Sequence, residues 1–356
     1  MKINNISFVV DKAFQNNMLF QKEFNVLDID MTFWNYLKQS FNSLSINVNT
    51  NDIFDPNYAD IIIYSDYKKK INKLDKLHVL IALESIAVIP AIYKKSYYDK
   101  FDLVFSWYDK IIDNKKIFPI TFCQDLSPKK FKSFNQRPFL ICNISSNKFS
   151  NYEDELYSER IRVFEFFKNK PNVFSLYGYG WDKSFKFPRI YNYFKFLSQN
   201  KILRILGKIF ILILLKLKQE DFLFESYNFY KGVINSKQEA LDKHKFCLCF
   251  ENVKDIDFFI TEKIFDCFIN GIVPIYFGSN NIHDKIPSNT FIDYRKFNDV
   301  NEMFEFISKI DEKTYKLYQN NIYKFLVSDN SREFQSKHVS EMVFKKIIRI
   351  YKSKKK

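Results

Sequence analysis

Glu262 and Lys263 stand in the first turn of a predicted helix that Thr261 caps. Unpaired backbone N–H groups and the positive end of the helix dipole already favour an anion there, so an added lysine suits a diphosphate. Glu84 follows the apolar run His78 to Leu83, which places its carboxylate at the end of a buried strand, where it can act as a general base. Arg160 and Arg162 share the helical stretch 155–167, and residues two apart point to different sides of a helix, so only one of them can face a cleft. A guanidinium there holds two phosphate oxygens at once, where a lysine supplies a mobile point charge. A base for an acceptor hydroxyl and cations for a departing diphosphate are the minimum for a group transfer from a nucleotide diphosphate. The competing readings are structural: Glu84 paired with a nearby lysine, Glu262 answering only the helix dipole, and either arginine on a solvated helix face.

These residues need elements to hold them. The stretch from Phe246 to Asp293 reads as strand, polar loop, capped helix, glycine stop, strand and glycine turn. Cys247 to Phe250 and Val273 to Phe277 are apolar without alternation, as strands buried on both faces of a parallel sheet are. Between them Ile264, Phe265, Phe268 and Ile269 fall on one helical face, and Gly271 supplies the left-handed residue that ends the helix. Upstream, strand-like runs recur at Ile6 to Val10, Ile61 to Tyr64, His78 to Ala82, Leu103 to Trp107 and Ile117 to Thr121. A second series runs through Phe139 to Ile144, Val173 to Tyr177, Phe246 to Phe250, Val273 to Phe277 and Phe291 to Asp293. The alternation predicts an α/β fold of two doubly wound, Rossmann-like domains facing a cleft, with ligands at the carboxyl ends of the strands. The expected divisions are 1–132, 133–335 with an insertion near 185–228, and a basic amphipathic tail at 336–356.

The chain of 356 residues is 46% hydrophobic and 19% aromatic, ample for two packed cores, and carries a net charge of +14. Its five cysteines are odd in number, and no CxxC pair accompanies Cys247 and Cys249, so they read as reduced core residues and not as a zinc site. The N-terminus MKINNISFVV lacks the long apolar run and cleavage site of a signal peptide, which places the expected location in the cytoplasm. No RNA-binding signature or zinc finger accompanies the charge, so no nucleic acid partner is expected. The charge concentrates instead at 201–218, where Lys201, Arg204 and Lys208 share a helical face beside an apolar run too short to span a bilayer. A second basic stretch is the tail FKKIIRIYKSKKK, whose Phe344, Ile347, Ile348 and Tyr351 form a stripe. Both read as anchors at the inner face of an anionic membrane, with 202–215 as a core helix the alternative. Asp255 and Asp257, and likewise Asp28 and Asp30, spell DID, the pattern of a metal-holding pair, but no metal is assigned to them.

FEN at 250–252, TEK at 261–263, VPIYFG at 273–278, and IP and FID beyond them are similar to the donor-binding half of the α-1,3/4-fucosyltransferases, glycosyltransferase family 10. The resemblance extends upstream through ELYSER at 155–160, LYGYGWD at 176–182 and YKGVINSK at 230–237 to LES at 83–85 and FDLVFSW at 101–107. It implies the two-domain fold called GT-B and an inverting transfer of L-fucose from GDP-fucose to a glycan hydroxyl, of α-1,3 type. The expected acceptor is an N-acetylglucosamine or glucose unit of a surface polysaccharide, lipopolysaccharide or lipid-linked oligosaccharide. No cofactor is required, and a divalent ion is not essential. The same resemblance implies Glu84 as the base, Arg160 over Arg162 and Lys263 on the diphosphate, and Glu262 on the ribose hydroxyls. Asn252, Phe259 and Tyr276 are further candidates for the donor pocket, as is Lys237. Phe259 departs from the family's tyrosine, so that hydroxyl is absent here, and the departure admits another nucleotide sugar. A non-enzymatic basic protein of the membrane surface is the rival from a different class.

Overall fold

A computed structural model describes residues 3–22, 30–65, 67–170, 172–182 and 227–354. The basic apolar stretch 201–218, nearly all of the insertion near 185–228 and the first two residues of the Asp28–Asp30 motif lie outside the described residues.

Two wholly parallel sheets form the frame. The first contains β1 (Asn5–Val9), β2 (Asn47–Thr50), β3 (Ile61–Ser65), β4 (Leu77–Ala82), β5 (Leu103–Ser106) and β6 (Ile117–Pro119), in the order β2-β1-β3-β4-β5-β6. The second contains β7 (Phe139–Ile144), β8 (Phe174–Tyr177), β9 (His244–Phe250), β10 (Val273–Phe277) and β11 (Ile292–Asp293), in the order β11-β10-β9-β7-β8. In each sheet the second strand lies on one side of the first and the third on the other. The chain therefore reverses direction across the sheet at β1/β3 and at β7/β9, and a crevice opens beyond the strand ends at such a reversal. The strands expected from apolar runs are all present. β2 was not expected: its sequence NVNT is polar and lies at the sheet edge, where one face meets solvent and no continuous apolar run is needed.

Helices cover both faces of each sheet. Those described are α1 (Thr32–Asn42), α2 (Lys95–Tyr98), α3 (Tyr157–Phe167), α4 (Lys237–Leu241), α5 (Glu262–Ile269), α6 (Val300–Ser308), α7 (Glu312–Leu326) and α8 (Ser336–Lys354). Gly271, at φ +63°, stops α5 as expected; a Cβ there would also collide with the Phe131 ring, 2.2 Å away.

The C-terminal stretch departs from its reading as a separate anchor. Val339, Val343, Ile347 and Tyr351 of α8 are buried in the same core as Phe33, Leu37 and Phe41 of α1, and Phe344 and Ile348 pack against it. The apolar stripe is thus spent inside the first domain, where its removal from water stabilises the fold. The chain crosses between the sheets twice, at 120–138 and at 327–335, and the crossings are laced together by Gln124 N–H to Phe334 O at 3.1 Å and Ser336 N–H to Gln124 O at 3.1 Å.

Candidate active site

A cleft of 530 Å³ runs between the carboxyl ends of the two sheets, within the size range of small-ligand sites. Glu84 comes from the first domain, two residues beyond β4. Its main-chain oxygen accepts from Tyr93 Oη at 2.5 Å, and its Oε1 accepts from the Ser85 N–H at 3.0 Å. A strand that ends in a tied loop is how an apolar run delivers a carboxylate to a fixed place.

The opposite wall is built around a residue that local reading of the sequence left without a role. Glu251, directly after β9, is fully buried, and its carboxylate accepts from the Thr261 N–H at 2.8 Å and from Thr261 Oγ1 at 2.7 Å. It also pairs with Lys263 Nζ at 3.2 Å. The strand end therefore fixes both the cap and the cation of α5. Nothing local distinguishes Glu251 from a solvated loop glutamate; the contact spans ten residues and needs the β9–α5 packing. Gly278, at the end of β10, is required by the same packing, since a Cβ there would lie 2.5 Å from Glu251 Cγ and 2.5 Å from Tyr276 Oη.

Charge in this wall is finely opposed. Burial works against the Lys263 ammonium, but Glu251 and Glu262 outweigh it and hold its pKa well above the usual lysine range. Burial likewise opposes ionisation of Glu262, yet Lys263 and Lys237 pull its carboxyl down to about 2. Lys237, in the first turn of α4, pairs with Asp266 at 2.6 Å, and burial raises the pKa of that aspartate. Lys237, Glu262 and Lys263 all line the cleft.

Arg160, not Arg162, faces this site. It is 4% exposed, and its Nη2 donates to Phe250 O and to Glu251 O, both at 2.6 Å, and to Asn252 Oδ1 at 3.4 Å. Its buried Nε has no partner among the described residues, an arrangement that suits a bound anion. Arg162 points outward and pairs with Glu159 at 2.6 Å. Asn252 lines the cleft but spends its side-chain oxygen on Arg160.

Phe259 lines the cleft while wedged among aromatics, 4.2 Å from the Trp107 ring centre and 5.5 Å from Phe122. It joins the two domains. Tyr276 is a correction to the expected pocket: it is fully buried, its hydroxyl donates to Phe259 O at 3.4 Å and accepts from the Ser279 N–H at 3.1 Å, and it supports the loop from behind. A tyrosine on a central strand with both faces covered has no route to the cleft. At the DID stretch, Ile256 is buried while Asp255 pairs with Lys254 at 3.5 Å. Among the described residues no group of three His, Cys, Asp or Glu side chains is placed to hold a metal ion.

The resemblance to glycosyltransferase family 10 is borne out by comparison with known proteins. Residues 193–349 match the model described as glycosyltransferase family 10 (fucosyltransferase) C-term, which begins and ends further along the chain than the motifs do. An alpha-(1,4)-fucosyltransferase of Arabidopsis thaliana is 34% identical over 73 residues, 20% of this chain and 18% of that protein. An alpha-(1,3)-fucosyltransferase of Helicobacter pylori is 28% identical over 126 residues, 34% of this chain and 24% of that protein. The matches thus span less than a quarter of these relatives' length. A crystal structure of an alpha1,3-fucosyltransferase with GDP superposes with a TM-score of 0.55 at 14% identity, covering 99% of this chain and 90% of the other. An alpha-glucosyltransferase in complex with UDP and DNA superposes at 0.52 with 11% identity, covering 99% and 100%. At such identities the likeness establishes the fold, two parallel-sheet domains of the GT-B type.

Proposed function

We propose that this chain is an inverting fucosyltransferase that moves L-fucose from GDP-fucose to a hydroxyl of a glycan, with α-1,3 linkage. The observation that carries the reading is the facing of Glu84 across the cleft from Arg160, Lys263 and Glu262. A base on one wall and diphosphate-holding cations on the other leave the reacting carbon between them, as attack from the face opposite the leaving group requires. Glu84 takes the acceptor proton. Lys263 and Arg160 stabilise the diphosphate charge, Glu262 positions the ribose, and Asn252, Phe259 and Lys237 line the donor pocket. Since the cations are protein side chains, no metal is assigned a step.

The acceptor is proposed to be a surface-polysaccharide, lipopolysaccharide or lipid-linked glycan unit, N-acetylglucosamine or glucose. An anionic membrane surface on the cytoplasmic side is the proposed setting. What supports it is the net charge of +14 and the groove along α8 where Arg332, Lys345, Lys346 and Arg349 outnumber the one carboxylate, Glu341. With the apolar side of α8 buried, such an association is electrostatic and salt-sensitive.

The test is a calorimetric titration of the protein with GDP-fucose, GDP-mannose and UDP-galactose in excess chelator. Selective binding of GDP-fucose is the expected result. Equal binding of a second nucleotide sugar would move the donor assignment to it, and no binding of any would remove the enzymatic reading.

A further inference from the structure

Tyr157 opens α3 and is 5% exposed. Its main-chain N–H donates to Glu155 Oε2 at 2.6 Å, which ties the first turn, and the Arg160 guanidinium carbon lies 5.1 Å from the ring centre. The backbone and the ring are thus each held by a neighbour. Its hydroxyl, by contrast, is buried and has no hydrogen-bond partner among the described residues, and the side chain lines the cleft together with Glu84, Lys263 and Asn252. A buried hydroxyl left unpaired is costly, and a protein retains one where a ligand supplies the partner. Arg160 Nε, three residues along the same helix, is unpartnered in the same way.

The surroundings indicate which ligand atom that is. Tyr157 shares the cleft with Glu84, Arg160 and Lys263, and Arg160 and Lys263 bear on its phenol with positive charge, Glu84 and Glu155 with negative charge. Burial raises the pKa of its hydroxyl above the ordinary value, so it stays a protonated donor at neutral pH. In the displacement, the bond from sugar C1 to the β-phosphate oxygen breaks and its electron pair goes to that oxygen. The acceptor oxygen bonds C1 from the other face, and its proton passes to the Glu84 carboxylate.

We propose that Tyr157 is a catalytic residue whose hydroxyl donates a hydrogen bond to the β-phosphate oxygen leaving C1, keeping its own proton throughout. The assignment rests on the fucosyl-transfer reading above. Phe259, on the same cleft, offers no donor, whereas the Tyr157 hydroxyl is a neutral donor on this wall that complements Lys263 and Arg160.

Tyr157→Phe removes only the oxygen. The variant is expected to bind GDP at least about tenfold more weakly, as loss of a hydrogen bond to a charged group does, while GMP, which lacks the β-phosphate, binds as it does to the wild type. kcat for GDP-fucose should fall with it. The melting temperature should hold or rise, because the variant deletes an unpaired buried polar atom. Unchanged GDP affinity and kcat would overturn the assignment, as would an equal loss for GDP and GMP, or a drop in melting temperature, either of which marks a structural role. If the wild type itself binds neither GDP nor GDP-fucose, the functional reading falls first and this assignment with it.

Discussion

Glu84 and Glu251 show how differently two strand-end carboxylates can be used. Glu84 stands in a tied loop on the cleft, whereas Glu251 is wholly enclosed and answers Thr261 and Lys263. A carboxylate so buried is tolerated because it is paired and fully hydrogen-bonded, and its product is a lysine that stays charged and stays in place. Chemistry at the hydroxyl should accordingly depend on Glu84 alone. Glu84→Gln keeps the side chain's size and removes its basicity, so transfer should fall by about 10²–10⁴-fold while GDP-fucose affinity changes little. Transfer kinetics and calorimetry on the same preparation check this, and a near-normal rate would mean that another group is the base. Glu84 and Lys263 were legible in the sequence because each sits at a strand end or first helical turn that local patterning marks, whereas patterning left Arg160 and Arg162 as alternatives. Glu251 and Tyr157 were not, since their roles come from contacts with residues distant in the chain or on another element.

At the level of elements, the placement of α5 depends on a residue far from the chemistry. Arg137 is fully buried between the sheets' connecting segment and β9, and it donates to four carbonyls: Lys132 O at 3.2 Å, His244 O at 3.0 Å, Asn270 O at 2.7 Å, and Leu241 O. One guanidinium thus satisfies the ends of α4 and α5 and the start of β9. Arg137→Met should strand these carbonyls and cost at least about 3 kcal/mol of stability. Arg162→Gln, which loses a largely exposed pair with Glu159 and a long hydrogen bond to the Tyr294 hydroxyl at 3.4 Å, should cost no more than about 1 kcal/mol. Denaturant titration of both variants checks the contrast; equal losses would show that Arg137 does not hold these elements. In sequence Arg137 was one basic residue in a polar linker.

Across the whole molecule, each domain holds one enclosed imidazole. His78 lies in β4 of the first sheet and His244 in β9 of the second, and burial lowers the pKa of both below the ordinary 6.5. The folded protein therefore keeps them neutral to lower pH than the unfolded chain does. Below about pH 6.5 the unfolded chain binds the extra protons, so stability should fall as pH drops through that range and level off above it, with a slope of up to about 1.4 kcal/mol per pH unit for each ring. Denaturant midpoints between pH 5 and 7.5 measure this, and a flat profile would contradict it. The two-crossing layout, with α8 returned to the first domain, makes the domains interdependent; it was invisible in the sequence, where an apolar stripe beside lysines fits a membrane surface as well as it fits α1.

What the amino-acid sequence determined by itself is the parallel strands other than the polar edge strand β2, the capped start of α5 and the charges brought to the strand ends. Apolar runs, caps and glycine stops are local, and local pattern is what a parallel α/β chain uses to declare its elements. Only the tertiary structure decided that Arg160 faces the cleft and Arg162 solvent, that Tyr276 lies behind the pocket, that Glu251 anchors Lys263, and that the C-terminal stripe belongs to a core. Each of those outcomes depends on which surfaces two elements bury against one another, and free energy of that kind is settled by packing between segments distant in the chain.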